Sequence, residues 1–188
     1  MSDLSTQHRL IPAALEAVGT ACAVSRAIQA NLAQLCEVTK DDRSPVTVAD
    51  FAVQAIISLS LADQLGPLDR LIVGEEDAEV LRTDKQEFIR KAVLEAVQSW
   101  RPQITETEML DAIDACNHDG SGDGFWALDP IDGTKGFLRG QHYAIALGRI
   151  ENGKVVAGVM GCPNLSIDQS FPLCEVDSEG VMYAASEG

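Results

Sequence analysis

Residues 126–137 read Trp-Ala-Leu-Asp-Pro-Ile-Asp-Gly-Thr-Lys-Gly-Phe, and they restrict the backbone more than any other stretch of the chain. Pro130 fixes one φ angle and removes a donor, while Gly133 admits conformations closed to other residues. Asp129 and Asp132 stand three apart around the proline. The arrangement presents two carboxylates, a main-chain carbonyl and a run of N–H groups around one small volume. Carboxylate and carbonyl oxygens suit hard divalent cations such as Mg²⁺. N–H groups at a helix start suit a phosphate. The bland alternative is a turn in which the aspartates only hydrogen-bond their own backbone. With Pro130 and Gly133-Thr134 fixing the geometry around both acids, metal-assisted chemistry on a phosphate ester is the better reading.

The rest of the chain supplies a frame for that turn. Apolar residues at helical spacing from His8 to about Cys36 predict a long amphipathic helix. Residues 40–45 read as a loop. A second helix is expected from about Thr47 through Leu65, stopped by Gly66-Pro67. Arg70–Gly74 reads as a short buried strand and 75–86 as acidic and irregular. Helices are expected over Glu87–Trp100 and Glu106–Cys116, then a Gly/Asp-rich loop over 117–124. A strand over Phe125–Leu128 delivers Asp129. Tyr143–Ile150 and Lys154–Gly161 read as a hairpin closed at Glu151-Asn152-Gly153, and a last strand is expected over Val181–Ala185. Helices first, then strands with helices between, predict an α+β or layered α/β domain.

The 188 residues suffice for one good core and part of a second domain. A net charge of −15 with no basic cluster argues against a nucleic-acid polymer or an anionic membrane as partner. An anionic substrate would have to be drawn in by bound cations. No uninterrupted apolar run approaches the ~20 residues of a membrane span, and the opening residues lack a secretory pattern. Five cysteines without a C-x-x-C pair argue against a zinc site or a disulfide framework and suggest a cytoplasmic home.

Three further acids are candidates. Thr47 and Asp50 fit a capping box, so Asp50 has a structural reading as a helix cap. Glu75 and Glu76 follow the short strand, either as a solvated pair or as ligands gathered at a strand end. The loop from Asp119 begins like a calcium loop, but its twelfth position is Pro130 instead of Glu. Phosphate-binding P-loop, nucleophile-elbow and H-E-x-x-H patterns are absent. His8, His118 and His142 are scattered and read as surface or loop residues.

Four segments, SPVTVAD (44–50), IVGEED (72–77), WALDPIDGTKGFLRG (126–140) and GVMGCPN (158–164), occur in this order. Together they resemble the lithium-sensitive, magnesium-dependent phosphatases of the inositol monophosphatase superfamily. The KGFLRG segment most resembles the 3′(2′),5′-bisphosphate nucleotidases within it. The resemblance implies a sugar-phosphatase-like fold whose N-terminal domain has a mostly antiparallel sheet packed against helix pairs. It also implies two or three Mg²⁺ per site. Glu75, Asp129 and the Ile131 carbonyl would hold one, and Asp129 and Asp132 another. Asp50 with Thr134 would orient and deprotonate the attacking water. The N–H groups of Gly133 and Thr134 would bind the phosphate, with Glu76 behind the ligands. The expected substrate is a small nucleotide bisphosphate, with an inositol phosphate as the alternative. Members of the superfamily are much longer, so residues 1–188 are expected to form the N-terminal metal- and phosphate-binding domain, without the second. The face left by that second domain is an expected route to self-association.

Overall fold

The computed structural model describes residues 4–32, 44–168 and 170–187. Two long helices come first, α1 (Leu4–Ala30) and α2 (Ser44–Gln64). In α1 the apolar stripe through Leu10, Ala14, Ala17, Val18, Ala21 and Ile28 is buried. In α2 every residue from Phe51 to Ser58 is buried, as expected of a helix with neighbours on all sides. The start of α2 corrects the sequence reading. It lies at Ser44, with Pro45 in the first turn, where a missing N–H is tolerated. Thr47 is therefore inside the helix and is not its cap, so Thr47 and Asp50 do not form the expected capping box. The first part of the expected 40–45 loop and the expected end of α1 near Cys36 lie outside the described residues.

Strand β1 (Ile72–Val73) is shorter than expected. Two 3-10 turns, Val80–Arg82 and Asp84–Gln86, follow within the stretch read as irregular. Helix α3 spans Glu87–Gln98 and α4 spans Glu106–Asp114. A capping box is formed at α4, where Thr105 and Glu108 bond each other's backbone N–H. Then come β2 (Gly124–Asp132), the short helix α5 (Thr134–Leu138), β3 (Ala144–Glu151), β4 (Lys154–Cys162) and β5 (Val181–Ser186).

Among the described residues five strands lie in chain order in one sheet. Only β1 and β2 are parallel, and the other neighbours are antiparallel, so the sheet is mostly antiparallel as expected. Glu151 pairs with Lys154, which leaves Asn152-Gly153 as a two-residue loop with φ of 50° and 73°. Both residues at positive φ mark a type I′ turn, whose twist matches that of the strands.

The α1–α2 pair covers one face of the sheet, α1 over β3, β4 and β5, and α2 over β2. Trp126, Leu128, Ile145, Leu147 and Val159 point into this layer and are buried. Among the described residues nothing covers the opposite face. Ala127, Gly148, Gly158 and Ala185 form a cross-strand row there, with Met160 and Tyr183 beside them, 41% and 49% exposed. The sequence reading also excluded a membrane span. By length and mean apolarity Arg9–Ala30 suffices for one, yet its apolar stripe is packed on the sheet.

Helix α1 approaches β4 through Gly161, where a Cβ would sit 2.3 Å from Cys22 Sγ and 2.8 Å from a Val18 methyl. Gly158, three residues earlier, meets nothing closer than 3.8 Å. Urea unfolding should separate the two sites. Gly161→Ala is expected to lose about 1–3 kcal/mol by overpacking, and Gly158→Ala to change stability by less than about 0.5 kcal/mol.

Candidate metal and phosphate site

Side chains alternate faces along a strand, so residues three apart ordinarily point to opposite sides. β2 escapes this rule at the Pro130–Ile131 step. Asp129 pairs with Ala146 but Asp132 pairs with Ala144, so three steps on β2 oppose two on β3. The extra residue is a β-bulge. It buries both Pro130 and Ile131 and leaves Asp129 and Asp132 exposed together. Proline suits this position because a bulge residue need not donate to the ladder. The strand also runs on to Asp132, beyond the expected end at Leu128.

Immediately after Asp132, Gly133 takes the left-handed conformation, φ 92° and ψ 39°, and α5 begins at Thr134. The first backbone donors to bond within the helix are those of Gly136 and Phe137, both to the Gly133 carbonyl. The N–H groups of Gly133 and Thr134 precede them, at the end of a helix where donors lack intrahelical partners. The Thr134 hydroxyl lies 3.5 Å from the Ile131 carbonyl, at the outer limit of a hydrogen bond.

The other acids arrive from two further segments. β1 runs parallel to β2, and Glu75 and Glu76 follow its carboxyl end just as Asp129 and Asp132 occupy that of β2. Carboxyl ends of parallel strands are where sheets of this kind gather their ligands. Asp50 reaches the same place from α2. Burial pushes its carboxyl up from the ordinary 3.8 to about 8, and the charges of Glu76, Glu75 and Asp129 push in the same direction. Asp129 is raised by desolvation and by Glu75 and Asp132, against a lowering backbone hydrogen bond from Ile131. Glu76 is raised by burial and by Glu75. The five carboxyls thus sense one another across one site, and among the described residues none is in an ion pair.

The donors are all hard oxygens, the chemistry that Mg²⁺ takes. They are loosely gathered: among the described residues no three His, Cys, Asp or Glu side chains converge tightly enough to grip an ion in this arrangement.

The residue that aligns the site is Gln54, which the sequence reading missed. It lies one turn beyond Asp50 on the same face of α2 and is fully buried. Its Oε1 accepts the N–H groups of Glu75 and Glu76, each at 3.0 Å. Its Nε2 donates to the carbonyls of Glu76 at 2.7 Å and Ile113 at 3.2 Å. All four bonds of the amide are used, so both glutamates are held against the helix that carries Asp50. Gly74 makes room, because a Cβ there would lie 2.6 Å from Gln54 Oε1. The one sequence signal was a glutamine inside FAVQAIISL, an otherwise apolar run.

The chain has relatives among known proteins. The model of the inositol monophosphatase family matches residues 7–188. The chain is 46% identical over 159 residues to a 3′(2′),5′-bisphosphate nucleotidase of Schizosaccharomyces pombe, covering 79% of this chain and 43% of that one. It is 43% identical over 166 residues to 3′(2′),5′-bisphosphate nucleotidase 1 of Arabidopsis thaliana, covering 84% and 47%. It is 38% identical over 190 residues to a 3′(2′),5′-bisphosphate nucleotidase of Oryza sativa, covering 95% and 53%. The chain spans about half the length of these relatives.

The Asp50 carboxyl gives a pH prediction. Between 3.8 and about 8 the folded protein holds the Asp50 proton and the unfolded chain does not. Each rise in pH across that window therefore favours unfolding. In the presence of a chelator, urea unfolding should show wild type losing stability from pH ~5 to ~8, and Asp50→Asn losing measurably less. Equal pH slopes for the two proteins would contradict the buried, carboxylate-crowded setting of Asp50.

Proposed function

The chain belongs to the inositol monophosphatase family, and on that premise we propose a Mg²⁺-dependent phosphohydrolase that removes the 3′-phosphate of adenosine 3′,5′-bisphosphate, giving AMP and phosphate. 3′-Phosphoadenylyl sulfate is a second substrate of the same shape. The observation that carries the proposal is the convergence of acids from α2, β1 and the β2 bulge beside a helix start. The names of the similar nucleotidases support the substrate class.

Within this reading Glu75, Asp129, Asp132 and the Ile131 carbonyl would hold two Mg²⁺, with Glu76 supporting them, and Asp50 would help to hold a third. When bound, the cations neutralise the acids, offset charge on the phosphate and make a water acidic enough to attack near neutral pH. The N–H groups of Gly133 and Thr134 hold the phosphate oxygens, and positioning of this kind is most of what phosphoryl transfer requires. The Thr134 hydroxyl and Asp50 orient the water. Its oxygen forms the new bond to phosphorus, the bond to the ribose 3′-oxygen breaks, and the water's proton passes to Asp50. Burial and the neighbouring acids keep this carboxyl protonated up to about pH 8 without metal; bound cations would offset the charge of those acids and let Asp50 ionise and serve as acceptor. The leaving oxygen takes a proton from solvent. Unpaired cysteines among the described residues favour a reducing, cytoplasmic setting.

A second reading is favoured by the bare sheet face and the loosely gathered donors. It is a non-catalytic metal-binding domain that pairs with a second copy through the row from Ala127 to Ala185.

Phosphate release from adenosine 3′,5′-bisphosphate with Mg²⁺, run beside an inositol monophosphate control and with or without Li⁺, tests the first reading. Li⁺-sensitive release from the nucleotide is expected. Asp129→Asn should lower turnover at least about a hundredfold, since it removes charge where the phosphate reacts. Near-normal activity in that variant would sink the assignment. Mg²⁺ binding without release, together with a dimer in sedimentation velocity, would favour the second reading.

A further inference from the structure

The segment GVMGCPN ends in Asn164, which has no part in the chemistry above. Asn164 is 4% exposed and Gln29, facing it from α1, is 9% exposed. Two buried amides incur a desolvation cost unless their bonds are made. Asn164 Nδ2 donates to Gln29 Oε1 at 2.7 Å and to the Gln141 carbonyl at 2.8 Å. Gln29 Nε2 donates to the Phe137 carbonyl at 3.0 Å and to the Gln141 carbonyl at 3.1 Å. The acceptors are therefore the carbonyls that close α5 and the turn behind it. One turn earlier on α1, the Ser25 hydroxyl lies 2.8 Å from the Tyr143 hydroxyl, and Tyr143 packs edge-on against Phe137 with ring centroids 4.9 Å apart.

These contacts hold the far end of a helix only five residues long, whose other end is Gly133-Thr134. At ~1.5 Å per residue its two ends are about 7 Å apart, too short for a shift at one to fade before the other. Its back is wedged as well: a Cβ on Gly136 would lie 1.9 Å from the His142 carbonyl.

We infer that Gln29 and Asn164 act as one positioning unit for the reaction, holding α5 from behind so that the Gly133 and Thr134 N–H groups meet the phosphate in register. The inference rests on the phosphohydrolase reading of the site. It gives the Asn of GVMGCPN a role: the chain leaving β4 reaches back under the phosphate turn, and α1 carries the matching amide.

The test compares wild type with Asn164→Ala, Gln29→Met and the double variant. Steady-state kinetics on adenosine 3′,5′-bisphosphate, Mg²⁺ affinity by calorimetry, and amide hydrogen exchange over residues 133–141 are measured on each. Each single variant is expected to lower kcat about ten- to a hundredfold, the scale of a misplacement near an ångström. KM and Mg²⁺ affinity should stay within about threefold, because the carboxylates are untouched. Exchange over 133–141 should quicken, and the double variant should lose little more than the worse single one, as residues of one unit do. Unchanged exchange in both single variants overturns the inference. So does faster exchange with unchanged kcat, which would leave the amides a purely structural tie. A wild-type protein that releases no phosphate, while its variants exchange faster, would mark failure of the phosphohydrolase reading and would withdraw the reaction role with it.

Discussion

A strand that alternates faces at every residue cannot bring aspartates three apart onto one site, and everything else in this site depends on how β2 breaks that rule. The bulge at Pro130–Ile131 inserts one residue, buries both and returns Asp132 to the side of Asp129. Without it one of the two carboxylates would face the helical layer, where an unpaired charge is costly. Proline loses nothing there, and Gly133 completes the change of direction at a φ of 92°. The motif is thus a means of folding two like charges into one place.

Crowding of this kind must be held by something other than the charges themselves. Neutral amides on the two helices under the sheet do that work. Gln54 on α2 fixes the backbone of Glu75 and Glu76, and Gln29 on α1 fixes the carbonyls behind α5. Glycines supply the close approach these grips need, at Gly74 against Gln54 and at Gly136 against the His142 carbonyl. The helical layer is therefore both core and jig. Its apolar stripes bury the sheet, and its few polar residues are spent on the loops that carry the acids.

Much of this was legible in the sequence. The order of elements, the hairpin closed at Glu151-Asn152-Gly153 and the approach of Asp129 along a strand followed from periodicity and turn chemistry. The boundaries were less legible. The start of α2 was misread because Thr47-x-x-Asp50 satisfies a local capping pattern, while the helix begins three residues further back, at Ser44, with Pro45 in a first turn that tolerates it. The strand β1 was overextended because only Ile72 and Val73 of the run at 70–74 pair in the ladder with β2. Gln54, Gln29 and Asn164 escaped notice because a buried amide has no sequence signature. Its importance lies in partners 21 to 135 residues away, which no local pattern encodes.

The central claim is that Asp129 and Asp132, brought together by the bulge, share one cation cluster with Glu75 and Asp50. Titration of Mn²⁺ into the protein, followed by electron paramagnetic resonance, tests it most directly. The account predicts at least two ions bound close enough to couple magnetically, with the coupling lost in Asp129→Asn and weakened in both Asp132→Asn and Glu75→Gln. Isolated, uncoupled Mn²⁺, or a signal indifferent to all three substitutions, would contradict it.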